Sequence, residues 1–83
     1  MGFPSLPNIE YLIDGNGEIT IGRIGPIACA VTAVDEDINY AQLVRRNGET
    51  LEQLLIRLER AIEMAEEKEI FIDEINNGPD DRL

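Results

Sequence analysis

Asn47-Gly48-Glu49-Thr50-Leu51-Glu52-Gln53-Leu54-Leu55-Ile56-Arg57-Leu58-Glu59-Arg60-Ala61-Ile62-Glu63-Met64-Ala65-Glu66-Glu67-Lys68 is the stretch whose reading decides the fold. Asn47-Gly48 halts the segment before it. Thr50 followed three residues later by Gln53 has the spacing of a capping box, in which each side chain satisfies an orphan backbone donor of the other residue. Leu51, Leu54, Leu55, Leu58, Ala61, Ile62 and Ala65 then recur at i, i+3, i+4 and i+7. That spacing predicts a helix of about 17 residues, ending near Lys68, with one apolar stripe.

Such a stripe needs an apolar surface to lie on, and the residues upstream supply strands. Ile27 to Val34 carries small or apolar side chains on both faces, Asp35-Glu36-Asp37 reads as a charged turn, and Ile38 to Arg46 returns with Tyr40, Leu43 and Val44. Further upstream, Ile9, Tyr11 and Ile13 alternate with other residues, as do Ile19 and Ile21, around Asp14-Gly15-Asn16-Gly17; this predicts another hairpin. Pro4 and Pro7 make residues 1–8 an extended lead-in. Downstream, Ile70-Phe71-Ile72 predicts a short closing strand, and residues 76–83 a flexible acidic tail. The expected class is α+β, with a single domain over residues 9–75. A small antiparallel sheet of two hairpins plus the closing strand carries one amphipathic helix on one face, leaving the other face partly open.

Composition narrows the function. An 83-residue chain has room for one core. Seventeen acidic against seven basic residues give a formal charge of -10. This opposes direct binding to nucleic acid, which depends on cationic surfaces that release counterions, and attraction to anionic membranes. A hydrophobic fraction of 43% is too high for a disordered acidic segment. One cysteine cannot form an internal disulfide, and the first residues lack the cationic start and apolar run of a secretory signal, so the cytoplasm is the expected compartment. Ile24 to Val34 is too short an apolar run to span a bilayer.

No motif reads as a chemical centre. Asp14-Gly15-Asn16-Gly17-Glu18-Ile19 resembles the middle of a calcium-binding EF-hand loop, but that register puts Leu12 at the first ligand position and Arg23 where the bidentate Glu belongs. Gly22, Arg23 and Gly25 lack the spacing and the Lys of a phosphate loop. Cys29 sits in an apolar strand of a chain without histidine, so no imidazole can activate its thiol. Asp35, Glu36 and Asp37, even with Asp73 and Glu74, read as solvated carboxylates rather than metal ligands. No cofactor, metal or enzymatic activity is expected.

The helix surface is more informative. At 100° per residue from Leu51, the apolar stripe centres at about 350°, while Glu52, Glu59, Glu63, Glu66 and Glu67 fall between about 60° and 160°. Arg57, Arg60 and Lys68 gather on the opposite flank. Ile56, at about 140°, stands among the carboxylates as an apolar anchor. Glu52, Ile56, Glu59, Glu63, Glu66 and Glu67 are therefore the expected docking surface for a basic protein.

The expected function is a small acidic binding protein that neutralises or inhibits such a partner, as immunity proteins, antitoxins and phage-encoded inhibitors, including anti-CRISPR proteins and DNA mimics, do. The alternative is a homodimeric assembly module joined through an open strand or sheet face, with charge serving solubility alone.

Overall fold

A computed structural model describes residues 4–76. The elements are α1 (Pro7–Asp14), β1 (Glu18–Ile24), β2 (Ile27–Val34), β3 (Asn39–Val44), α2 (Leu51–Lys68) and β4 (Ile72–Asp73). The class is α+β: a four-stranded sheet in the order β1-β2-β3-β4 with α2 packed on it and α1 beside α2. β1, β2 and β3 are antiparallel neighbours, whereas β4 runs parallel to β3 because α2 carries the chain back along the sheet before it pairs again.

The capping box forms as the sequence predicts: the Gln53 amide donates to Thr50 Oγ1 at 3.1 Å and the Thr50 amide to Gln53 Oε1 at 2.9 Å. Leu54, Leu58 and Ile62 are fully covered and share a core with Val31, Ala33, Ala41 and Leu43. Leu51 lies on the same stripe but is 47% exposed. Angle alone gives a side chain a direction, not a neighbour. Past Lys68, Glu69 takes a left-handed φ of 57°, its amide donating to the Ala65 carbonyl and the Ile70 amide to that of Met64.

The amino-terminal segment departs from expectation. Residues 9–13 are not a strand but most of α1, with Pro7 at the start, where its missing N–H costs nothing. Leu6, Ile9 and Leu12, spaced i, i+3, are buried, while Tyr11 and Ile13, which a strand would have turned inward with Ile9, are exposed. Asp14-Gly15-Asn16-Gly17 is therefore the exit from a helix rather than a hairpin turn. The Gly17 amide donates to the Leu12 carbonyl at 2.8 Å, and a Cβ on Gly17 would lie 2.8 Å from that of Leu12. The hairpin before β3 is β1–β2, turned at Gly25-Pro26 with Gly25 at φ 58°, so β2 is shared by both hairpins.

Smaller differences follow. Pro7 and Asn8, read as lead-in, belong to α1, and the closing strand begins at Ile72, leaving Ile70 and Phe71 exposed. Asn76, read as the start of the tail, turns back onto the Asp73 carboxylate. Residues 1–3 of the lead-in and 77–83 of the tail lie outside the described residues. The sheet face away from α2 carries Thr20, Thr32, Gln42 and Asp73 in direct register across its strands, so a polar row divides it.

Candidate functional site

The expected docking surface divides into residues that are free and residues already in use. Glu52, Glu63, Glu66 and Glu67 are exposed along α2. Glu59 is not: it is only 9% exposed and faces the amino terminus of α1. Its Oε2 accepts from the Asn8 amide at 2.8 Å and from Asn8 Nδ2 at 2.6 Å, and its Oε1 accepts from the Ile9 amide at 3.0 Å. The residue before α1 is Leu6, which has no side-chain acceptor, so a carboxylate from the other helix caps α1 where the helix dipole is positive. Ile56 is half-buried against the core and is not a free anchor among carboxylates.

Exposed apolar side chains gather elsewhere, at the carboxyl-terminal end of α2. Ile38, Tyr40, Ala65 and Phe71 line a groove of about 450 Å³ whose rim carries Glu66 and Glu69. Phe71 is 51% exposed, and Ile38 and Ile70 are also exposed. A signal for this patch was present, since three consecutive apolar residues at 70–72 cannot all face inward in a strand of period two. Ile72 alone does so, pairing with Ala41 and packing on the core.

Two polar arrangements brace opposite ends of β3, one of them beside this groove. At the sheet end near Tyr40, Asp35 Oδ1 accepts from the Asp37 amide at 2.8 Å and the Ile38 amide at 2.7 Å, while Oδ2 accepts from the Tyr40 hydroxyl at 2.9 Å. These donors, led by the Ile38 and Asp37 amides, lower the Asp35 pKa. Burial, reinforced by the Asp35 carboxylate, pushes the Tyr40 phenol up to about 12.

At the other end, Arg57 is enclosed by acceptors. Nε donates to Glu49 Oε2 at 2.8 Å, Nη1 to Glu74 Oε2 at 2.8 Å, and Nη2 to the Val44 carbonyl at 2.9 Å. Glu74 Oε1 in turn accepts from the Val44 amide at 2.9 Å. Arg57 thus joins α2 to the end of β3, to the loop before α2 and to the turn after β4. The guanidinium beside it, with the Arg46 amide, holds the Glu49 carboxyl down at about 2.

The remaining candidates are placed as follows. Asp35 is committed to its own turn, Asp73 to Asn76 and Glu74 to Arg57, so these carboxylates do not converge. Among the described residues, no group of three or more His, Cys, Asp or Glu side chains is placed to hold a metal ion. Cys29 is half-buried against the core. Among the described residues, no helix is long and apolar enough to cross a membrane. Comparison with protein-family models, with curated proteins and with solved structures finds no match.

Proposed function

We propose that this chain is a small acidic binding protein that docks on a basic surface of another protein and so neutralises or inhibits it, in the manner of immunity proteins, antitoxins and phage-encoded inhibitors. The observation that carries the reading is the adjacency of exposed carboxylates to an exposed apolar groove: Glu66 and Glu69 border the pocket of Ile38, Tyr40 and Phe71, with Glu63 and Glu67 also exposed on α2. A basic partner would be steered by the carboxylates and retained by burial of Phe71, since charge complementarity acts mainly on encounter and a desolvated aromatic on dissociation. Glu59 and Ile56 leave the contact set, Glu59 because it caps α1 and Ile56 because it packs against the core. The charge of -10 favours a cationic partner at long range and disfavours a second copy of the chain.

The test is affinity capture from the native host with the tagged chain, followed by association kinetics of the purified partner at rising ionic strength. The reading expects a partner with a basic contact surface and an association rate that falls steeply with salt. A captured partner that is acidic, or whose association is indifferent to salt, contradicts it.

A further inference from the structure

A second groove lies between α1 and β1, about 640 Å³ in volume, with Leu6, Ile9, Ile13, Ile19, Ile21 and Leu55 among its lining. Ile13 is 56% exposed and Ile21 is also exposed, so its apolar floor is open to solvent. β1 is the terminal strand of the sheet and, among the described residues, pairs with β2 alone; its other edge presents unpaired peptide groups. Ile19 and Ile21 are alternate residues of this strand, and both line the groove. A strand added at the β1 edge would turn its own alternate side chains to the same face, into the groove.

The rim specifies the charge of the occupant. Glu10 and Asp14 line the groove, no basic side chain does so, and neither carboxylate has an ion-pair partner among the described residues. They stand four residues apart on α1, where like charges repel until a cation comes between them. The bulge between Gly22 and Ile24, with Gly22 at φ 142°, limits regular pairing to the first part of β1, opposite α1.

We propose that the open edge of β1 takes an extended segment of another protein as a fifth strand, with apolar residues at alternate positions in the α1–β1 groove and Lys or Arg residues against Glu10 and Asp14. The inference rests on the reading of a cationic partner for its charge, but on this groove rather than the α2 carboxylates for its place.

The probe is a capped peptide about as long as the seven residues of β1, with valine and lysine sharing the alternate positions that face the groove and threonine between them, titrated into the isotopically labelled chain and followed by amide chemical shifts. Expected are shifts confined to Glu18–Ile24 and α1, a loss of binding when alternate peptide amides are N-methylated, and no binding of the glutamate–valine analogue. The double substitution Glu10→Lys with Asp14→Lys should weaken the lysine peptide about tenfold, and Ile21→Ser should weaken it with the charge unchanged. Shifts centred on Glu63, Glu66 and Phe71 instead would overturn the groove assignment while leaving the acidic-binder reading standing. Equal binding of both peptides at the groove would overturn the cationic assignment, and no charge-dependent binding on any surface would count against both proposals. Light scattering that shows a dimer broken by Ile21→Ser would assign the edge to a second copy and overturn the proposal.

Discussion

Replacing Glu59 separates a carboxylate that holds the fold from one that faces a partner. In Glu59→Ala, the Asn8 and Ile9 amides and Asn8 Nδ2 lose their acceptor together. A hydrogen bond to a charged group contributes about 1.5 to 3 kcal/mol, and loss of a helix cap costs about 0.5 to 2 kcal/mol. The Ile9 amide is the buried one, whereas Asn8 is half-buried and can recover part of its loss from water. Weighing one full loss and two partial ones gives a destabilisation of about 3 kcal/mol, a large share of the roughly 5 to 15 kcal/mol that holds a domain together. Glu59→Gln keeps an acceptor but loses the charge, and should cost about half as much. The assay is urea unfolding followed by circular dichroism, with hydrogen exchange at the Asn8 and Ile9 amides as the local reporter. If Glu59→Ala changes stability by less than about 0.5 kcal/mol, or if those two amides exchange no faster than before, the cap is not carrying α1 and the reasoning fails.

Other consequences follow from the same contacts. Leu58→Ala should cost about 2 to 5 kcal/mol in the same unfolding assay, because Leu58 is fully covered at the centre of the stripe. Glu69→Gly should raise the melting temperature, by about 1 kcal/mol of stability, since Glu69 holds a left-handed φ of 57° that glycine adopts without a Cβ penalty. Gly17→Ala should destabilise, as its Cβ would stand 2.8 Å from that of Leu12; a melt equal to wild type would contradict the helix exit described. Glu49 has a folded pKa of about 2 against an ordinary 4.5, so its contribution is complete above about pH 4.5 and is lost as pH falls toward 2. Acid unfolding of Arg57→Met should show a shallower pH dependence across that window.

The helix was readable because three independent signals agree at Thr50–Lys68: cap, period and length. The central hairpin was readable because β2 and β3 are apolar runs separated by an acidic turn. The amino terminus was misread because Ile9, Tyr11, Leu12 and Ile13 satisfy a period of two and a period of 3.6 over so short a span. Pro7 and the spacing of Leu6, Ile9 and Leu12 favour the helix, and tertiary packing against α2 decides it. That single misreading propagated to the site. With a strand in place of α1 nothing stood opposite Glu59, so a buried cap counted as a free carboxylate and Ile56 as an exposed anchor. The contribution of Phe71 and Ile38 depends on where β4 enters the sheet, and β4 is placed by Arg57 and Glu74 across 17 residues of sequence.

Charge reversal on the purified complex is the most direct test of the claim that exposed carboxylates beside an apolar groove make the binding surface. Glu63→Lys with Glu66→Lys is compared with Glu36→Lys and Asp37→Lys, which add the same charge at exposed positions that line neither groove and lie outside β1. The fold should survive both pairs, and the α2 pair should weaken the captured partner by about tenfold or more while the control pair changes affinity by less than about threefold. Equal weakening by the two pairs would mean that only net charge matters, and would contradict a defined site on α2.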